Sequence, residues 1–219
     1  MHAPPDDSPI RVLVTAGPTE EPIDEVRFLG NRSSGRMGIA LADAFAARGA
    51  EVVLALGPVR VAVPAERPGL AIRRFRTADD LLALLWRELP SADLVVMAAA
   101  VADYRPRLRA EGKLRRTAEG MTVELEGVPD LLATTRGARR PGARIVGFAL
   151  EPRDRLAASA REKLARKDLD AIVANPLETM DADDIEGVLV ARDGGERSPG
   201  GAIPKQAFAR WLADALLAE

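Results

Sequence analysis

Four lysines, Lys113, Lys163, Lys167 and Lys205, stand among 27 arginines. In a chain that uses arginine almost everywhere, a retained lysine has a raised chance of serving as a compact, specific cation. Lys163 and Lys167 lie four apart and so share one face of the helix that carries them. Asparagine occurs twice, as Asn31 and Asn175. Asn31 stands in a segment rich in small residues, Gly30-Asn31-Arg32-Ser33-Ser34-Gly35-Arg36-Met37-Gly38. Small residues let backbone N–H groups approach an oxyanion at a helix N-terminus, where the macrodipole favours negative charge. The same residues also fit a plain helix entry capped by Ser33 or Ser34, and on the residues alone both readings stay open. Cysteine is absent and the one histidine is His2, so thiol nucleophiles, Ser-His-Asp chemistry and Cys- or His-rich metal sites are excluded.

The elements that would position these groups alternate between strand and helix. Residues 10–16, 51–56, 71–75, 93–100, 144–150 and 169–174 are mainly apolar runs of the kind buried between two helix layers. Between them, Ile39, Leu41, Ala42, Phe45 and Ala46 recur at helical spacing over residues 37–48, with Gly49 as C-cap. Thr77 opens a helix over 78–89, another amphipathic helix runs 155–166, and Pro204 precedes a last one over 205–217. Residues 187–192 followed by Asp193-Gly194-Gly195 read as an antiparallel edge hairpin.

This pattern predicts an α/β fold, a doubly wound, mostly parallel Rossmann-like sheet. A flexible tail over residues 1–9 should precede a single domain over 10–219. A charged excursion at 104–126, whose residues 121–126 alternate like an exposed strand, follows the carboxyl end of a buried strand. Ligands bind there in open parallel sheets, so the excursion reads as a β-flap insertion, a lid or subunit contact rather than a linker.

Composition narrows the function. With 31 basic against 33 acidic residues the net charge is −2, which argues against nucleic-acid binding. No run of about 18 apolar residues and no signal-peptide core occur, so the chain is expected in the cytoplasm, away from membranes. A short-chain dehydrogenase binding NAD(P) is one reading of the opening strand and glycines. However, the long interval from Gly17 to the second glycine cluster is not a compact G-x-G-x-x-G turn. The single tyrosine, Tyr104, is followed four residues on by Leu108 instead of the lysine that such chemistry needs. That oxidoreductase and a non-catalytic nucleotide-binding module remain as alternatives.

Longer motifs point elsewhere. Ala16-Gly17-Pro18-Thr19 with Asp24 and Val26-Arg27-Phe28, Asn31-Arg32-Ser33-Ser34-Gly35, and Ala99-Ala100-Val101-Ala102-Asp103-Tyr104-Arg105-Pro106 occur in order. They are followed by Glu111-Gly112-Lys113-Leu114, Pro129-Asp130-Leu131-Leu132, Val146-Gly147-Phe148-Ala149 and the stretch from Ala160 through Lys163 and Lys167 to Asp170, and Ala174-Asn175 ends the set. In these motifs the chain resembles phosphopantothenate–cysteine ligases of the bacterial, CTP-dependent type, over nearly its whole length.

The resemblance implies activation of the 4′-phosphopantothenate carboxylate by CTP with Mg²⁺, release of pyrophosphate, and transfer of the acyl group from cytidylate to L-cysteine. Such chemistry rests on positioning and charge neutralisation more than on a protein nucleophile. It implies that Asn31 contacts the acylated intermediate and that Lys113, on the flap, grips the reacting phosphate, the two catalytic positions. Met97, Ala98, Ala99 and Asp103 would line the nucleotide site, Pro129, Asp130, Leu131, Leu132 and Phe148 would wall the base, and Lys163 and Lys167 would hold phosphates. Gly17, Asn31, Ser33, Ser34, Gly35 and Gly38 would form the phosphopantothenate loop. No protein ligand for Mg²⁺ is assigned, no FMN is expected in what should be a stand-alone ligase, and the flap should contribute to a homodimer. CTP against ATP is not decided by these residues. The chain departs from the family pattern at Arg115, Arg116, Val128, Leu150 and Pro152; Arg115 and Arg116 keep charge with a different reach, Val128 lacks a polar contact, and none of the departures removes a residue of the proposed phosphate chemistry.

Overall fold

The computed structural model describes residues 8–180 and 182–218; most of the tail expected at 1–9 lies outside the described residues. In chain order the elements are β1 (Arg11–Ala16), β2 (Glu20–Pro22), β3 (Phe28–Gly30), α1 (Arg36–Ala46), β4 (Glu51–Leu56), β5 (Leu70–Arg74), α2 (Ala78–Glu88) and β6 (Leu94–Met97). They continue with β7 (Tyr104–Pro106), β8 (Leu125–Gly127), α3 (Leu131–Thr134), β9 (Arg144–Glu151), α4 (Leu156–Arg166) and β10 (Ala171–Pro176). The chain closes with β11 (Asp184–Ile185), β12 (Val188–Ala191), β13 (Glu196–Arg197), β14 (Ile203–Pro204) and α5 (Lys205–Leu217).

The main sheet has the order β13-β12-β10-β9-β6-β1-β4-β5, parallel from β10 to β5, with β12 and β13 added antiparallel as the expected edge hairpin. Apolar residues on both faces of each strand explain why the sheet is sandwiched. Val12, Val14 and Ala16 of β1 pack with α1 and α5, while Leu13 faces the opposite layer with Leu81 and Leu85 of α2 and Leu164 of α4. Thr77 caps α2 as expected, in a reciprocal box with Asp80.

From β1 the chain winds outward through β4 and β5, and from β6 it winds the other way through β9 and β10. The reversal lies between β1 and β6, and it leaves a crevice outside their carboxyl ends. Among the described residues no helix is long and apolar enough to cross a membrane.

Two local expectations are corrected, and one hairpin is added. Neither Ser33 nor Ser34 caps α1; the N-cap is Gly35 at φ 73°, with no side-chain hydrogen bond, because a left-handed backbone turn opens the helix. The flap pairs Tyr104–Pro106 with Leu125–Gly127 only, so residues 121–124 are not strand. The interval from Gly17 to Gly35 contains the short antiparallel hairpin β2–β3, which its three-residue strands concealed.

Gly38 fixes how close α1 comes to β1. A Cβ there would stand 2.4 Å from the Ala16 Cβ and 3.0 Å from the Thr15 carbonyl oxygen. Overpacking against a rigid strand costs about 1–3 kcal/mol, more than the roughly 1 kcal/mol that alanine gains over glycine in a helix. Gly38→Ala should therefore lower the thermal melting temperature, and an unchanged or raised melting point would show that α1 can retreat without loss.

Candidate active site

Two cavities open at the crevice. The larger, about 530 Å³, is bounded by the ends of β6 and β9, the start of α3 and one face of α4. It brings together Asn31, Met97, Ala99, Asp103, Pro129, Asp130, Leu131, Leu132, Phe148, Lys163 and Lys167, residues scattered over more than half of the chain. The smaller, about 230 Å³, lies at the N-terminus of α1 and holds Ser33, Ser34, Gly35 and Gly38, with Ala98, Asn175 and Lys205. Ala99, Ala100, Phe148 and Leu150 line both, so the two cavities share a wall. A groove of about 760 Å³ lies at the amino ends of β1, β4 and β5. None of the lysines or asparagines reaches it, and four of the charges on its rim pair with one another, Arg11 with Glu51 and Arg73 with Glu66.

The larger cavity carries its cations on α4. Lys163 Nζ lies 2.5 Å from Glu151 Oε1, and Lys167 Nζ 3.4 Å from Asp130 Oδ2. Hydrogen bonding to Lys163 holds the Glu151 carboxyl below its ordinary value against the opposing effect of burial. Burial pushes Asp130 up, but the Ala133 amide, Lys167 and the Leu132 amide outweigh it and keep Asp130 low. Asp130 is also the N-cap of α3 and accepts from the Leu132 and Ala133 amides. It thus sets the wall and a lysine at once. Arg166 lies on the same lining. Glu151 and Arg166 escaped the sequence reading, although Arg166 falls on the helical face of Lys163 and Lys167.

The smaller cavity presents the bare end of α1. With a glycine N-cap, no side-chain cap and no acidic residue in the first turn, the first N–H groups and the helix dipole are available to an anion.

Three expected site residues sit elsewhere. Gly17 lines neither cavity; at φ 82° and with Gly57 and Val59 against it, it serves the turn after β1. Asn31 belongs to the larger cavity rather than the loop at α1, because its Nδ2 donates to the Ala100 and Val101 carbonyls at 3.3 and 3.0 Å. Lys113 lies exposed on the flap, outside both cavities.

A buried carboxylate anchors the base of that flap. Asp24, 2% exposed, accepts from the amides of Val26 and Arg27 and, 90 residues away, from the amide of Leu114 at 3.1 Å. Arg27 pairs with Asp24 at 3.3 Å and donates to the Leu114 carbonyl at 2.9 Å, so both backbone groups of the residue after Lys113 are held. The amides of Glu25 and Ala110 add bonds to the Gly112 and Ile23 carbonyls.

Burial acts to raise the Asp24 carboxyl, but the Arg27, Val26 and Leu114 amides and the Arg27 charge bring it below its ordinary value. A lowered folded value makes the clamp fully present above the ordinary aspartate value and lost as the pH falls through the lower folded one. Asp24→Asn should speed hydrogen exchange at the Leu114 amide about tenfold at neutral pH while the sheet is unaffected. It should also abolish the acid-induced loosening. Parent-like exchange at Leu114 would show that the flap is held by other contacts.

The family model of the DNA/pantothenate metabolism flavoprotein C-terminal domain matches residues 8–218. The chain is 42% identical over 167 residues to a protein of an unknown prokaryotic organism named cysteine/cysteine sulfinic acid decarboxylase, covering 76% of this chain and 46% of that protein. It is 41% identical over 198 residues to the coenzyme A biosynthesis bifunctional protein CoaBC of Mycobacterium tuberculosis (strain ATCC 25618 / H37Rv), covering 85% and 47%. It thus spans a little under half the length of these curated relatives. The crystal structure of the C-terminal domain of a coenzyme A biosynthesis bifunctional protein CoaBC superposes with a TM-score of 0.78 at 31% identity, covering 96% of this chain and 97% of that one.

Proposed function

The chain belongs to the family of the DNA/pantothenate metabolism flavoprotein C-terminal domain, and from that premise we propose that it ligates L-cysteine to 4′-phosphopantothenate in coenzyme A biosynthesis. The observation that carries the reading is the shared wall at Ala99, Ala100 and Phe148, which sets a lysine-lined cavity against a bare helix N-terminus. Two anionic substrates can lie there with their reacting ends in contact.

In this reading the nucleotide is CTP. Its base rests against Phe148 and the 129–132 segment, and its phosphates exchange carboxylate partners with Lys163 and Lys167. The phosphate of phosphopantothenate takes the N–H groups at the start of α1, beside Ser33, Ser34 and Gly38. A carboxylate oxygen of phosphopantothenate attacks the α-phosphorus, pyrophosphate leaves, and an acyl-cytidylate remains. The cysteine amine then attacks the acyl carbon, the C–O bond to phosphate breaks, and CMP departs as the amine loses a proton.

Asn31 acts here through the Ala100–Val101 backbone that it holds, at the shared wall. Lys113 neutralises the leaving pyrophosphate from the flap. Mg²⁺ bound to CTP needs few protein ligands; among the described residues no cluster of three or more acidic residues could hold a metal, and Asp103, an exposed carboxylate on the cavity lining, would meet one that arrives with the triphosphate. The ion would offset phosphate charge. The reaction calls for no FMN. Hydride transfer finds no support, since β1 leads into the β2–β3 hairpin instead of a compact dinucleotide turn.

Pyrophosphate release with phosphopantothenate and each of the four nucleoside triphosphates tests this. CTP should be the best, and Lys113→Gln should lose about 10² or more in rate, as expected for a charge-stabilising group. No release with any nucleotide would end the ligase reading, equal rates with ATP would end the CTP assignment, and full activity of the variant would remove Lys113 from the chemistry.

We also propose a homodimer through the two hairpins. Val26, Phe28 and Leu29 beside β2 and β3, and Tyr104, Leu108 and Leu125 around β7 and β8, expose large apolar side chains, Leu108 at 84%. Hydrophobic residues gathered on adjoining hairpins mark a protein contact. Light scattering should give the mass of two chains, and Phe28→Asp with Leu125→Asp should give that of one. A monomeric parent protein would contradict the proposal.

A further inference from the structure

Arg139 lies behind the larger cavity, with its side chain only 12% exposed. It follows the short helical turn after α3 and reaches both walls of that cavity. Its Nη2 donates to the Leu132 carbonyl at 3.2 Å, at the α3 wall. Its Nη1 donates to the Asp168 carbonyl at 3.3 Å and lies 3.5 Å from Asp168 Oδ2. Asp168 is flanked by Lys167 and Leu169, both of which line the cavity. It is also, among the described residues, the one non-glycine residue with positive φ, at 51°. An aspartate tolerates that backbone better than most residues, but the turn still needs outside support. The guanidinium supplies it in a form lysine cannot reproduce, since a planar fork with several donors can hold two carbonyls at fixed separation.

We propose that Arg139 is a positioning residue that sets the width of the nucleotide cavity, by joining the α3 wall to the end of α4 that presents Lys167. This rests on the reading of that cavity as the nucleotide site. Arg139 touches no substrate; it acts through Leu132 and Asp168. Burial pushes the guanidinium below its ordinary value while Asp168 acts to raise it, in keeping with a cation retained inside for its bonds. Arg192 holds the same turn, pairing with Asp168 at 3.0 Å and donating to the Leu169 carbonyl at 2.9 Å, but makes no hydrogen bond or ion pair to α3, which makes it the control for support of the turn alone.

Arg139→Lys and Arg139→Gln test the proposal against a purely stabilising role, with Arg192→Gln alongside. In steady-state pyrophosphate release, the KM for CTP should rise about tenfold in Arg139→Gln and less in Arg139→Lys, as expected for losing two or one of the charged hydrogen bonds. The KM for phosphopantothenate should stay within about twofold, and Arg192→Gln should resemble the parent. A lowered melting temperature with an unchanged KM for CTP would overturn the proposal, as would equal rises for both substrates. Because loss of a buried charge can unfold the chain, hydrogen exchange of free Arg139→Lys gives a readout independent of turnover. Amides of α3 and of the 168–169 turn should lose protection together and before the sheet; loss at one wall alone, or evenly throughout, would overturn the coupling. If the parent protein releases no pyrophosphate with CTP, the functional reading fails on its own account, and the exchange result still decides whether Arg139 couples the walls.

Discussion

Beyond Ala16 and Met97 the two central strands leave the sheet without separating. The Ala98 amide donates to the Thr15 carbonyl, Ala100 to Gly17, and Thr19 to Ala100 in return. The Thr15 and Thr19 hydroxyls accept from the amides of Ala99 and Ala102. These threonines are fully buried, so their oxygens must be satisfied inside, and both are satisfied by the neighbouring strand extension. The result is a rigid backbone ridge projecting past the sheet at the point where the winding reverses. Asn31 fastens to this ridge through Ala100 and Val101, and Ala99 and Ala100 form the wall common to both cavities.

The electrostatics around the ridge have two distinct designs. On the α1 side backbone N–H groups stand uncapped, because the helix begins at a glycine, beside the Arg32, Arg36 and Lys205 side chains that line the same cavity. On the α4 side the positive field is made of lysines that already hold carboxylates, Lys163 with Glu151 and Lys167 with Asp130. In the proposed reading an incoming triphosphate trades places with those carboxylates. In the empty protein the two carboxylates keep these half-buried ammonium groups paired and aimed at the cavity. The walls must then hold their spacing while partners change. Asp130 does this within α3, and Arg139 does it between α3 and α4.

Much of this was legible in the sequence, for identifiable reasons. Strands buried on both faces show as unbroken apolar runs, and α2 announced itself through Thr77 and Asp80, a cap made of side chains. Lys163 and Lys167 stand out by their rarity and spacing, and they line one cavity with Phe148 and residues 129–132. What stayed hidden depends on backbone groups or on contacts distant in sequence. The left-handed opening of α1 at Gly35 left the serines looking like caps. The β2–β3 strands are three residues each, too short for periodicity to register. The partners of Asp24 and Arg139 are amides and carbonyls, which carry no sequence signal at all. Asn31 belongs in sequence to the loop before α1, whereas its amide crosses to the ridge.

The central claim is spatial: nucleotide against α4, phosphopantothenate against α1, reacting groups at the ridge. A crystal structure of the protein with CTP and phosphopantothenate, without cysteine, tests it most directly by trapping the acyl-cytidylate. The account predicts cytosine beside Phe148 and Leu132, the 4′-phosphate at the amides that follow Gly35, and the mixed anhydride beside Ala99 and Ala100. Cytidylate at the α1 N-terminus, with the pantothenate phosphate on Lys163 and Lys167, would contradict it.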